Sequence, residues 1–564
     1  MKYFLLSISL LIVNCFKAQN FQWAKAVKGK YTEIIMSSCV DASGNYYATG
    51  SFQDTVDFDP GAGIYNLITD ENPDIFISKL DAAGNFVWAK SIQSNGWDRG
   101  NSIAVDANGE IVIIGFYNGS ADFDPGVASF SLTPSGGSGQ DGFILKLNTQ
   151  GNFIWAKSIG GNTNENIDHL VTDNLGNIYF TGIFNGTTDL DPGPANVFIN
   201  SNTGSIDFFI EKLDAFGNYV WAKTIGGPKA ENCTSLAIDG NGNLCALGTF
   251  SGTVDFDPNA GITNMTSNGG DDLFIVKLNN VGNLVWVNTF GGPQSELSGA
   301  LKTDALGNCY TASSFFGIMD ADPSIANSFT LNAIGGCDIC LQKFDSNGNF
   351  VWAKQIAGNN NELVFNLVLN NSAGIFLTGY FEGTVDFDPS LSINNLSSNG
   401  GADIFVQSLD KDGNFVWVYS AGGTGNDYGF ALCADNSNVF IGGTFYYTVD
   451  FDPGPATYNF TSATSDVFIL KLNQGLTGLK EFTTKLNTVV FPNPTVGDIT
   501  IQLDKEYSII EIELVNVTGQ LIMKKQELLT GKSIGLNFDA TSGIYFLSVK
   551  VDNEISSTFK IIKS

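Results

Sequence analysis

Arginine and histidine are almost missing from this chain of 564 residues: Arg99 and His169 each stand alone. One histidine leaves no multi-histidine metal centre and little material for Ser-His-Asp or Cys-His catalysis. One arginine leaves no guanidinium cluster to clamp phosphates or carboxylates. Long apolar runs are also missing. Tyr3–Val13 is the longest near the start, and it is too short to cross a bilayer. With Lys2 before it and Ala18 after it, the segment 1–19 has the form of a secretory signal peptide. Cys15 follows Asn14, not the small residue that a lipidation site needs. Cysteine is sparse: beyond Cys15 there are Cys39, Cys233, Cys245, Cys309, Cys337, Cys340 and Cys433. An odd number scattered through strand-like text is expected to be buried thiols, and the single CxxC at Cys337–Cys340 has no second pair to make a zinc site.

Basic charge is scarce overall. The formal net charge is −29, which argues against nucleic acid or an anionic membrane as partner. It suits cations, cationic partners or simple solubility.

What the chain has in quantity is repetition. Tryptophan recurs at positions 23, 88, 155, 221, 286, 352 and 417, in steps of 65 to 67 residues. Each step carries the same text, which is the mark of an array. Ten residues after each tryptophan comes an acid: Glu33, Asp98, Glu165, Glu231, Glu296, Glu362 and Asp427. Eighteen after it comes Asp41, Asp106, Asp173, Asp239, Asp304, Asn370 or Asp435, usually followed by x-x-Gly-Asn. A β-rich phrase follows, and then a D-x-D-P motif: Asp57 and Asp59, Asp122 and Asp124, Asp189 and Asp191, Asp255 and Asp257, Asp320 and Asp322, Asp386 and Asp388, Asp450 and Asp452. Phrases such as "DGFILKL" (Asp141–Leu147) and "FVWAK" close each unit.

Each unit therefore predicts four short strands, the first pair and the last pair joined by tight glycine turns. Seven such units predict an all-β fold, a seven-bladed β-propeller of four-stranded blades over residues 20–472. The chain starts with a lone tryptophan strand, "FQWAKAV" (Phe21–Val27), and the seventh unit lacks one. The first strand is expected to complete the last sheet and close the ring, which removes two free edges. The seven tryptophans are expected to fill the wedges between blades. Trp97 lies outside this register in "SNGWDRG", and with Arg99 it is a candidate ligand contact.

The repeat resembles the SBBP-type bacterial β-propeller repeats in "VDASGNYYATGSF" (Val40–Phe52) and "DIFISKLDAAGN" (Asp74–Asn85). That resemblance implies a fold and no common activity. The tail resembles a type A C-terminal sorting domain of the type IX secretion system of Bacteroidetes. The matching phrases are "VVFPNPTVGDITIQL" (Val489–Leu503), "IELVNVTGQLI" (Ile512–Ile522) and "SGIYFLSVKVDNEISSTFKIIKS" (Ser542–Ser564). The residues that carry it are Pro492, Asn493, Pro494, Gly519, Gly543, Tyr545, Lys560 and Lys563. It implies a small β-sandwich over 487–564, recognised by the secretion machinery, after a linker at 473–486.

In a four-stranded meander the first-strand acids and the D-x-D pairs fall on one face, the face of the longer loops. Paired carboxylates roughly 6–7 Å apart on extended chain need compensation, and three sources are open. Lysines of the third and fourth strands could pair with them, or the carboxylates could cap turn N–H groups. Ca²⁺ could bind, with the +10 acid as a further ligand. A carboxylate pair could act on a glycoside, although seven near-equal copies suit a blade part better than an active site. The +10 acids are expected either to satisfy backbone N–H groups near the axis or to form an acidic ring at the channel mouth. The reading is a secreted or cell-surface, non-enzymatic binding or adhesion protein for an extracellular protein or glycan. A polysaccharide hydrolase or lyase, or a surface scaffold, are the alternatives.

Overall fold

The computed structural model describes residues 21–474 and 489–563, except 70–71, 137–138, 203, 325, 371–373, 453, 455, 504–508, 517–520, 529–530 and 552–554. The signal-peptide segment, Gly519 and most of the linker therefore lie outside the described residues. The chain divides into two compact units, residues 1–475 and 476–564. All regular structure among the described residues is β. Among the described residues no helix is long and apolar enough to cross a membrane.

In the first unit the strands pair antiparallel in sets of four. Ile34–Val40, Tyr46–Phe52, Asp74–Leu80 and Phe86–Ile92 form the first set, in chain order. Five more sets follow with the same order, opening at Arg99, Asn166, Asn232, Leu297 and Glu362. The last set is Tyr428–Ala434, Asn438–Asp450 and Asn459–Asn473, completed by Phe21–Val27 from the start of the chain. Lys25 sits opposite Ile469, and Ala26 opposite Phe468.

The first strands of successive sets lie beside one another. Ile34–Val40 lies against both Arg99–Val105 and Tyr428–Ala434, so the succession returns to its start. Between the sets the cores are apolar and aromatic. One of them joins Val467 and Ile469 of the last set to Ile35, Tyr46 and Phe76 of the first.

The tryptophans explain the fixed spacing. Trp88 lies under the glycine turn of the next set, donating its indole N–H to Thr149 O at 3.3 Å. A Cβ on Gly151 would stand 3.2 Å from the Trp88 ring. Gly151 also has φ +75°, so the backbone conformation favours glycine there and the Trp88 ring leaves little room for a side chain. Trp286 makes the same bond to Ser346 O at 3.3 Å. Trp221 and Trp417 bond likewise to Asn280 O and Gln474 O, while the Trp23, Trp155 and Trp352 rings pack against the turn glycines Gly84, Gly217 and Gly413 without such a bond being needed for the spacing.

The described cysteines are all unbridged, and all but Cys39 are buried, as their strand positions suggest.

The second unit is two sheets over one core. Val489–Phe491, Asp498–Gln502 and Ser533–Asn537 form one sheet. Leu521–Leu528, Ile509–Asn516, Gly543–Val551 and Ile555–Lys563 form the other. Ile499, Ile501 and Leu536 from the first sheet meet Ile512, Leu514, Leu547 and Val549 from the second. Alternate residues face inward, which is the period-two pattern of a sandwich.

Candidate functional site

The D-x-D motif lies where the second strand runs on into an outer hairpin, as Thr55–Asp57 pairs with Asn66–Ile68. The middle residue turns inward: Phe58, Phe123, Leu190, Phe256, Ala321, Phe387 and Phe451 are all buried. The flanking aspartates turn outward and cap the turn. Asp57 Oδ1 accepts from Asp59 N at 3.1 Å and Tyr65 N at 2.8 Å, and Asp59 Oδ1 accepts from Gly61 N at 2.8 Å. The same three bonds recur through all seven copies, ending with Asp450 to Asp452 N and Tyr458 N, and Asp452 to Gly454 N. The motif also meets the neighbouring set. Asp57 bridges to Lys28, Asp189 to Gly160, Asp255 to Gly226, Asp320 to Gly291 and Asp386 to Ala357, all from the preceding fourth strand. It is a turn and a stitch between sheets.

Lysine compensation of these pairs is corrected. Among the described residues no D-x-D carboxylate forms an ion pair. Lys146 instead contacts Asp106 at 2.9 Å and Glu110 at 2.7 Å, and Lys277 contacts Asp239 at 2.8 Å. The lysine leaves the third strand at its turn end, where the +18 aspartate stands, while the D-x-D motif is at the other end. Lys79, Lys212 and Lys343 lie over the rings of Tyr47, Tyr179 and Tyr310. Nor does any group of three His, Cys, Asp or Glu side chains among the described residues converge as metal ligands would.

The acidic ring at a channel mouth is corrected too. Glu33, Asp98, Glu165, Glu231, Glu296, Glu362 and Asp427 are buried, none more than 1% exposed. Most reach back to the glycine segment before them: Glu165 Oε2 accepts from Gly161 N at 3.0 Å, Glu231 from Gly227 N at 2.7 Å, Glu362 from Gly358 N at 2.9 Å and Asp427 from Gly423 N at 2.8 Å. A Cβ at Gly358 would lie 2.6 Å from the Glu362 carboxylate, so the Gly-Gly phrase is room made for the acid.

A second family of acids escaped the sequence reading. Asp74, Asp141, Asp207 and Asp272 open their third strands, Asp338, Asp403 and Asp466 stand at the matching place within the longer third strands, and all seven are buried. Each belongs with the +10 acid of the following set, and Asp466 of the last set belongs with Glu33 of the first. Seven buried carboxyl pairs therefore sit at the seven junctions. Burial first, then the Asp338 charge, pushes Glu362 up to about 9. Burial and Asp466 bring Glu33 to about 8, and burial and Asp272 bring Glu296 to about 8. The signal was present as the aspartate that heads every "DGFILKL" phrase, but its burial was not legible.

Trp97 and Arg99 come together. Trp97 is 51% exposed and packs edge-on to Phe116, with Arg99 over both rings. Arg99 Nε donates to Asn101 Oδ1 at 2.7 Å, which ties the guanidinium down.

At the same station of the last set lies an open concavity. Thr424, Gly425, Asn426, Tyr428, Tyr446 and Tyr447 line a cleft of about 380 Å³. Tyr380, Tyr428, Phe430 and Phe365 continue from it as a run of touching rings, 5.1–5.8 Å between centroids. Sequence reading missed these aromatics because each, alone, is an ordinary strand residue.

In the second unit the sorting residues are structural clasps. Asn493 Nδ2 donates to Lys560 O at 2.6 Å, and Ile562 N donates to Asn493 Oδ1 at 2.8 Å, so the Pro-Asn-Pro turn is fastened to the last strand. Lys563 Nζ donates to Phe538 O at 3.0 Å, and the Tyr545 hydroxyl to Thr541 O at 2.6 Å. Pro492 and Pro494 flank the clasp, and Gly543 opens the strand that carries Tyr545.

Residues 489–564 match the secretion system C-terminal sorting domain. The chain carries a type IX sorting tail and is exported to the cell surface or extracellular space. This implies contact with the type IX secretion machinery. The chain is 25% identical over 423 residues to an uncharacterized WD repeat-containing protein, L264, of Acanthamoeba polyphaga mimivirus, covering 64% of this chain and 30% of that protein. It is 25% identical over 264 residues to the regulatory protein FlaEY of Caulobacter vibrioides, covering 45% of this chain and 26% of that one. The chain thus spans less than a third of these relatives. Dimeric latent PorU from Porphyromonas gingivalis is similar at 9% identity and a TM-score of 0.12, covering 64% of this chain and 31% of PorU; that score bears no weight here.

Proposed function

We propose that the first unit is a seven-bladed β-propeller of the SBBP-repeat type, acting outside the cell as a non-enzymatic binding or adhesion module. The observation that carries the fold is the cyclic succession of first strands, with Phe21–Val27 completing the last set. The similarity to a WD repeat-containing protein supports it. The sorting tail supplies the place of action. Against catalysis stands the use of the repeated carboxylates: the D-x-D aspartates cap turns in all seven sets alike and the +10 acids are buried, so neither set singles out one acid and base facing each other across a cleft.

The test is a glycan and protein binding array with the exported full chain. Saturable binding to one ligand class, with no release of reducing ends or unsaturated products from polysaccharides, is the expected result. Product release would move the reading to a hydrolase or lyase, and no binding to any member would move it to a scaffold.

A further inference from the structure

We propose that the tyrosine cleft of the last set is a binding site for a neutral polysaccharide, deepening the binding reading on which it rests. Three residues before each D-x-D motif the backbone takes a left-handed turn. The seven residues there are Asp54, Gly119, Gly186, Gly252, Gly317, Gly383 and Tyr447, all with positive φ. Glycine fills five of them, as that conformation favours. Tyr447, at φ 60°, is the bulky exception, and it is 55% exposed. A large side chain held in a conformation that disfavours it, and held outward, marks a place where local stability has been given up for something else.

The surroundings are cut to fit it. A Cβ on Gly425 would stand 2.6 Å from Tyr446 Cβ and 3.1 Å from the Tyr447 ring, so the loop is bare where the tyrosines lie against it. Asn426 accepts from Ala402 N at 3.1 Å. That bond fixes its amide, which also hydrogen-bonds the Tyr428 hydroxyl, so two polar groups stand together at the cleft wall.

The chemistry selects the ligand. Tyrosine rings give flat apolar faces with polar rims, which suit the C–H face and hydroxyl edge of a pyranose. The volume, about 380 Å³, is that of a small-ligand site, and it is open, so a polymer can pass through. No lysine, arginine or histidine lines it, and Glu382 acts on the neighbouring Tyr380 and Tyr428. An anionic polymer would meet no counter-charge and one carboxylate.

The test is affinity electrophoresis of the exported full chain through gels holding a β-1,3-glucan, an α-mannan, a xylan or, as acidic control, polygalacturonate. At least one neutral polymer should retard the protein and polygalacturonate should not. Tyr447→Gly restores the residue of five other sets, so its melting midpoint should match or exceed that of the natural chain. Its affinity should fall by about tenfold or more, as for loss of a central aromatic anchor. Tyr428→Ala should act alike. Passage unhindered by every neutral polymer, or equal retardation of Tyr447→Gly, overturns the inference. If the chain binds on the array and Tyr447→Gly binds as well, the cleft is wrong and the binding reading stands. If nothing binds on either, both fall.

Discussion

Neutralising one buried carboxyl pair should make the protein more stable, and increasingly so as pH rises. Glu362 faces Asp338 across the junction between the fifth and sixth sets, with Glu382, Tyr380 and Cys337 nearby and no cation among its influences. Its folded pKa is about 9, against 4.5 in an unstructured chain. An acid raised in this way contributes most at or below its unfolded value, and the contribution is lost as pH climbs toward the folded one. Each pH unit in that window is worth about 1.4 kcal/mol, so about 3 kcal/mol is lost by about pH 7. The pair shares one proton and its surroundings adjust, so about half of this, ~2 kcal/mol, is expected from a substitution. Glu362→Gln keeps an oxygen for Gly358 N and supplies an NH₂ donor to Asp338. Its urea midpoint should differ little from the natural chain near pH 5 and exceed it by a widening margin toward pH 9, while the natural chain weakens steadily over that range. A flat natural profile, or equal destabilisation of Glu362→Gln at both ends, would refute the reasoning.

Four further outcomes follow. Asp57→Asn keeps the accepting oxygen and should cost less than about 0.5 kcal/mol, whereas Asp57→Ala loses two turn bonds and should cost about 1–2 kcal/mol in the same urea assay. Because turn N–H groups already satisfy those aspartates, millimolar Ca²⁺ should leave the melting midpoint unchanged; a rise with concentration would restore calcium as a ligand. Trp88→Ala opens a cavity under the Gly151 turn and should cost about 3–5 kcal/mol, measured by thermal melting. Asn493→Ala removes both bonds to the last strand of the tail, and cell fractionation should find more of the protein held inside the cell.

The repeat was legible because its parts are short-range or recur at a fixed step. Trp88 and Gly151 meet one set apart, a separation that the recurring text itself displays, and the Asp-x-x-Gly-Asn turns are written in consecutive residues. The alternation within D-x-D was legible for the same reason, and the buried Phe58 between two outward aspartates follows it. The partners of charged groups were not. Lys146 meets Asp106 across two strands, and Glu33 meets Asp466 across the whole chain. Sequence shows a carboxylate and not its solvent, so the +10 acids looked like a surface ring when they are junction cores. The tyrosine cleft was hidden differently. Its residues come from two separate stretches of chain, and Tyr447 stands out only once its backbone is seen at a position other units give to glycine.

The most direct test of the account is amide hydrogen exchange along Phe21–Val27 in the exported chain. These residues pair with Val467–Leu472, and a closed ring predicts that their hydrogen-bonded amides exchange as slowly as those of the third strand they face. Exchange at the rate of a free terminus, with the last set unprotected along Asn459–Asn473, would mean an open array and would contradict the ring.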